Sequence, residues 1–165
     1  MPSIIALITD FRLKDPYVGQ MKGAILLHAP DARIVDITHE IDPYRPEQAG
    51  FFLAISHQYY PPGTIFVAVV DPGVGGARKI ICLQKHKQLF LAPDNGLLTF
   101  LLDQPGTATA LVLRPPLGVP SDRGTFHGRD IFAPLAARLS LCDAPSQLGL
   151  EIPLDSLVRL PWILP

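Results

Sequence analysis

Short apolar runs alternate along this chain with stretches of helical periodicity. Residues 3–9 (SIIALIT), 33–38 (RIVDIT) and 64–70 (TIFVAVV) are too short and too rich in β-branched side chains for helices, and read as buried strands. Between them, residues 16–28 place Val18, Met21, Ala24 and Ile25 on one helical face, and residues 47–60 return to the same period. Asp15-Pro16 offers an N-cap followed by proline at the first helical position. Residues 79–84 and 88–91 flank a polar turn and predict a hairpin, followed by a dense turn at 92–96 and a short helix over 97–102. A strand over 108–113, a proline- and glycine-rich loop over 115–124 and a helix over 131–141 complete the pattern. The tail from Pro145 offers a helical turn and an edge strand over 156–159. Strands alternating with helices predict an α/β fold on a mostly parallel sheet.

The organising stretch is FVAVVDPGVGGARK, from Phe66 to Lys79. Its strand stops at Asp71 and gives way to turn residues, and Arg78 follows seven positions later, close enough to fold back over that acid. Polar clusters end three other apolar segments: Asp10 with Asp15, Asp94 with Asn95, and His127 with Arg129 and Asp130. Each has a plain structural reading: helix caps for Asp10 and Asp15, a turn for Asp94-Asn95-Gly96, and for Arg129 and Asp130 a pairing with each other or with the helix end. Together they stand at loops that a parallel sheet gathers along one edge, where such sheets bind ligands.

Composition narrows the field. A chain of 165 residues with 48% hydrophobic residues and a net charge of -1 is one ordinary globular domain without a basic face, so no nucleic-acid partner is expected. The apolar runs are strand-sized and no secretion signal precedes them, so no membrane association is expected and the chain reads as cytoplasmic. Cys82 and Cys142 lie in apolar contexts and read as reduced core residues. The 18 prolines fall mostly at segment ends and punctuate loops. The first strand lacks G-x-G-x-x-G, the loop after Asp71 lacks Walker spacing, and no nucleophile elbow is present. No histidine pairs with another or with cysteine at metal-ligand spacing, so no metal is expected, although Asp10, Asp71 and His127 leave a hydrolytic metal site conceivable.

Five stretches make the chain recognisable: ITDF at 8–11, DPYVGQMKG at 15–23, VVDPGVGGAR at 69–78, APDNGLL at 92–98 and TFHGRDIFAP at 125–134. In this order they resemble the SAM hydroxide adenosyltransferases, which hydrolyse S-adenosyl-L-methionine (SAM) and are related to SAM-dependent fluorinase and chlorinase. The resemblance implies a three-layer α/β sandwich and attack by water or hydroxide on the ribose C5′ carbon of SAM, which is substrate, with no cofactor. It assigns Asp71, Arg78 and His127 to water activation and Asp10 to the ribose hydroxyls. Tyr44 would pack beside the ribose, Asp15 would face the methionine ammonium, Phe126 would line the pocket, and Asn95 lies in a motif without a firm role. Simple core packing is the plain alternative for Tyr44 and Phe126. Halogenases carry uncharged residues where Asp71 and His127 stand, and an aspartate beside a halide would repel it, which favours the hydrolase.

Two departures from the family stand out. Arg12 replaces the usual glycine after the D-F pair; pointing inward it would repel the sulfonium substrate, and pointing outward it needs only an unstrained backbone. Family members also carry a C-terminal β domain and assemble as trimers, with the site shared between subunits. Residues 1–160 match the N-terminal catalytic-type domain, and 161–165 fall where the linker should start. The expectation is a homotrimer of weak activity. The rival expectation is a non-catalytic remnant, or a subunit completed by a separate C-terminal-domain chain, with Trp162 marking an apolar docking patch.

Overall fold

A computed structural model describes residues 1–119 and 126–161. Trp162 and Thr125 therefore lie outside the described residues. The described residues form one seven-stranded sheet of order β2-β1-β3-β5-β4-β6-β7. The strands are β1 (Ile4–Thr9), β2 (Arg33–Thr38), β3 (Ile65–Val69), β4 (Ile80–Lys85), β5 (Gln88–Pro93), β6 (Ala108–Leu113) and β7 (Gly149–Ile152). The helices are α1 (Tyr17–His28), α2 (Pro46–Ser56), α3 (Thr99–Asp103) and α4 (Ala133–Leu141).

The sheet is mixed, which corrects the expectation of a mostly parallel one. β2, β1, β3 and β5 pair in parallel, whereas β4 pairs antiparallel with both β5 and β6, and β7 antiparallel with β6. The switch comes from the β4–β5 hairpin. Its two turn residues, His86 and Lys87, both take positive φ (54° and 60°), as a tight turn matched to strand twist requires. The edge strand expected over 156–159 is also corrected. β7 takes that place against β6, Pro153 ends it, and the following chain is pinned instead by Val158 N donating to Asp94 Oδ1 (2.9 Å). The second helix stops at Ser56 and tightens into a 3₁₀ turn over His57–Tyr59, short of the expected end at residue 60.

Side chains alternate along the strands and build a core on each face. Ile5, Leu7, Val67 and Val69 join Met21 and Ile25 of α1 and Leu135 and Leu139 of α4. Ala6, Ile8, Phe66 and Ala68 join Ala49 and Leu53 of α2 and Leu98 and Leu101 around α3. The chain leaves β1 through α1 for β2 on one side, then crosses through α2 to β3 on the other side of β1. The two helices pack on opposite faces, the arrangement in which α/β sheets form a ligand-binding crevice at the carboxyl ends of neighbouring strands, here β1 and β3. Cys82 is buried in the core and its thiol is pushed up to about 12 by that burial; both cysteines are free. No helix of the described residues is long and apolar enough to cross a membrane.

Candidate functional site

In register, Thr9 of β1 lies beside Val69 of β3, so Asp10 and Asp71 leave adjacent parallel strands at the same edge. After Val70 the chain makes successive turns, with Val74 N donating to Asp71 O (3.3 Å) and Gly76 N to Gly73 O (2.9 Å). Gly75 takes φ 84°, a left-handed conformation that favours glycine. These turns return Arg78 to Asp71, as the seven-residue spacing predicts: Arg78 Nε donates to Asp71 Oδ2. The pair is well covered, with 1% of the Asp71 side chain and 11% of the Arg78 side chain exposed.

His127 completes the set, its Nδ1 2.8 Å from Arg78 Nη2. A guanidinium has no acceptor, so it donates, and the His127 Nδ1 is the acceptor of a neutral ring with its hydrogen on Nε2. Burial and the Arg78 charge both push the His127 pKa below the usual histidine value, which holds the ring in that form. His127 starts a π-helical turn over Gly128–Phe132 that runs into α4, so this helical segment begins before the expected residue 131. π turns of this kind recur at functional sites.

Gly128 is a residue the sequence reading passed over. A Cβ there would stand 2.7 Å from the Phe11 ring, so only glycine lets the β1 loop and the His127 segment approach so closely. Phe11 and Tyr17 pack on Phe126 with ring centroids 4.8 and 4.9 Å away, forming an aromatic wall beside the charged set. Within FHGR, a glycine between a histidine and an arginine is the one signal that pointed there.

Asp10 is half-buried, and burial raises its pKa; its own amide and that of Tyr44 pull the other way, and the Asp71 charge adds to the rise. Tyr44 is 75% exposed at φ 63°, so it is not core packing. Asp15 does not cap α1, which begins at Tyr17 with Pro16 in the cap position and no side-chain cap bond. The carboxylate of Asp15 stays at the surface. Asn95 donates to Val70 O (2.8 Å) and accepts from Leu97 N (3.2 Å), which ties the β5–α3 turn to the end of β3. Arg129 and Asp130 do form the local pair, with a two-bond contact at 2.7 and 2.9 Å that lowers the Asp130 pKa. Arg12 points outward, as one alternative required, but its backbone is left-handed at φ 60°. The family's glycine would sit there freely, whereas arginine meets a steric cost of about 1–2 kcal/mol. No group of three His, Cys, Asp or Glu among the described residues has metal-holding geometry.

The raised Asp10 pKa has a thermodynamic consequence. A carboxyl whose folded pKa exceeds its unfolded value stabilises the fold below the unfolded value, and that contribution is lost as pH rises through the folded one. At neutral pH ionised Asp10 is therefore a cost. Asp10→Asn is expected to raise Tm by about 1–3 °C at pH 7, the scale of a small fraction of total stability in a chain of this length. The gain should vanish below pH 3.8, where the unfolded aspartate is also protonated. A melting curve lowered at pH 7 would contradict this account.

The model of the SAM hydroxide adenosyltransferase N-terminal domain matches residues 5–149. A curated relative from Thermus thermophilus, named (R)-S-adenosyl-L-methionine hydrolase, is 40% identical over 95% of this chain and 64% of its own length. A protein from Nocardia brasiliensis named fluorinase is 26% identical over 94% of this chain and 60% of its own. The crystal structure of an uncharacterized conserved protein from Thermotoga maritima superimposes with a TM-score of 0.88 at 38% identity, over 98% of this chain and 62% of that one. The chain thus spans less than two thirds of the length of these relatives. On the extent of the family match and the identity to its hydrolase relative, the chain belongs to the SAM hydroxide adenosyltransferase family, in its N-terminal domain.

Proposed function

We propose that this chain carries the water-activating half of a site that hydrolyses S-adenosyl-L-methionine to adenosine and L-methionine. The observation that carries the reading is the unbroken line of contacts from Asp71 through Arg78 to His127 at the β1–β3 crevice. The leaving group is a thioether departing neutral from a sulfonium cation, so the substrate arrives activated. Catalysis then consists of aligning one water in line with the C5′–S bond and making it nucleophilic. The new C5′–O bond forms as the C5′–S bond breaks, and the electron pair goes to methionine sulfur. The Arg78 guanidinium and the His127 Nε2–H are donors that favour hydroxide over water. Asp71 is the acceptor of the set: Oδ2 holds Arg78, and Oδ1, which accepts from Gly73 N (3.2 Å) in this structure, is the oxygen that takes the proton once water reaches it. Asp10 offers two oxygens to the ribose hydroxyls, Asp15 faces the methionine ammonium, Tyr44 and Phe126 flank the nucleoside, and Asn95 braces the loop.

A carboxylate beside a would-be halide argues against halogenation. In the same proposal the helices on both sheet faces make the family's three-layer sandwich, the protein works in the cytoplasm, and a homotrimer completes the pocket. The test is incubation of the pure chain with SAM in ¹⁸O-labelled water. Adenosine and methionine should appear in equal amounts, with the label in the adenosine 5′-hydroxyl; methylthioadenosine in place of adenosine would sink the reading. In a second reading the site is completed by a separate C-terminal-domain chain. SAM binding without adenosine release would favour that one.

A further inference from the structure

Behind the β1 loop lies a polar network, buried at Thr9 and His39 and reaching the surface at Asp36 and Lys22, that the proposed chemistry leaves unused. Thr9 Oγ1 and His39 Nδ1 are 2.7 Å apart, with Thr9 0% and His39 3% exposed. The other ring nitrogen, Nε2, lies 3.0 Å from Asp36 Oδ1, without the alignment of a full hydrogen bond. The second oxygen of Asp36 is 2.6 Å from Lys22 Nζ of α1. A carboxylate only accepts, so the His39 hydrogen in the neutral ring faces Asp36, and Nδ1 accepts from the Thr9 hydroxyl. The order carboxylate, imidazole, hydroxyl is that of a nucleophilic triad. The complete burial of Thr9 removes that use, because no substrate reaches the hydroxyl.

What the network does reach is the backbone on both sides of Asp10. Phe11 N donates to Thr9 Oγ1 (3.2 Å), and Arg12 N donates to the His39 carbonyl (2.8 Å). The second bond holds Arg12 in its left-handed conformation, which persists only where surrounding contacts over-determine it. Phe11, fixed from one side by Thr9, packs from the other on Phe126 and on the bare face of Gly128, next to His127. We propose that His39, acting through Thr9, is a positioning residue that clamps the Asp10–Arg12 loop and sets the nucleoside end of the pocket against the His127 segment. This rests on the SAM-hydrolase reading for its functional consequence, but the clamp itself is a property of the fold.

Thr9→Val deletes the hydroxyl at nearly constant volume, and Thr9→Ser restores it. In the full chain, Thr9→Val is expected to raise KM for SAM about tenfold with kcat within about threefold, the size of one lost buried hydrogen bond on the binding side. The Phe11 and Arg12 amides should exchange with deuterium at least about tenfold faster than in the parent, and Thr9→Ser should return both readouts. A folded Thr9→Val with parental KM and parental exchange would overturn the proposal, as would a fall in kcat at unchanged KM. A parent chain that releases no adenosine would count against the hydrolase reading alone. Exchange would still decide the clamp: faster in Thr9→Val and restored in Thr9→Ser supports it, and unchanged exchange overturns it. If Thr9→Val does not fold, His39→Gln, which loses Nδ1 and keeps a donor for Asp36, takes its place in the same comparison.

Discussion

Asp71→Asn is expected to lower the rate of adenosine release by about 10²–10⁴-fold, the range spanned by a positioned general base. The substitution keeps the shape and one acceptor oxygen but removes the charge that neutralises Arg78. Two losses follow. In the proposed mechanism the water loses its proton acceptor, and Arg78, only 11% exposed at its side chain, keeps a positive charge without its counter-ion. Removing one partner of a covered pair typically costs about 3–5 kcal/mol, so Tm should fall as well. The Asp71 charge also raises the His127 pKa against burial and Arg78, so its removal drives that pKa lower still and His127 stays neutral. The measurement is single-turnover adenosine release well below the Tm of the variant, with both proteins shown folded by circular dichroism. Turnover within about threefold of the parent would remove Asp71 from the chemistry.

Much of this site was legible because its residues terminate strands. A β-branched run that stops at an acid and a glycine-rich turn gives away both the strand end and the side chain at its edge, which is why Asp10, Asp71 and Arg78 could be placed from spacing and pattern alone. The antiparallel half of the sheet was half visible: the hairpin at His86-Lys87 was expected, but the pairings of β6 and β7 depend on partners distant in sequence. Residues 156–159 carry a strand-like pattern and still form a loop, because Pro153 has ended β7 and the Asp94 and Thr99 side chains capture the following amides. Asp15 looked like a helix cap by composition, yet helix entry is set by Pro16. The left-handed backbone at Arg12 had no local signal at all; it comes from the bond to His39, a residue 27 positions away. Close approaches were equally invisible, since periodicity says which face is buried and nothing about how near the neighbour comes.

Glycines in two helices turn that last point into a test with opposite signs. In an exposed helix interior, glycine to alanine stabilises by about 1 kcal/mol. Gly19, exposed in the first turn of α1, follows the same direction: a Cβ there meets nothing within 4 Å, so Gly19→Ala is expected to raise Tm by about 1–3 °C. Gly50 of α2 should do the reverse. Its Cβ would stand 2.2 Å from the Leu97 carbonyl oxygen, far inside contact distance, and a backbone oxygen cannot rotate away as a side chain can. Relief requires α2 and the chain entering α3 to separate, which opens the core formed by Ala49, Leu53, Leu97 and Leu101. Overpacking of this kind costs about 3 kcal/mol or more, a fall of roughly 6–12 °C in Tm. The displacement also travels toward the site. Leu97 N is bound to Asn95 Oδ1, and the Asn95 amide is bound to the carbonyl of Val70, the residue before Asp71. Gly50→Ala should therefore lose activity at temperatures where it is still fully folded, whereas Gly19→Ala should keep it. Thermal melts of both variants and adenosine release at 20 °C below each Tm separate the two effects. A Gly50→Ala protein as stable as Gly19→Ala would mean that α2 stands farther from α3 than this structure places it.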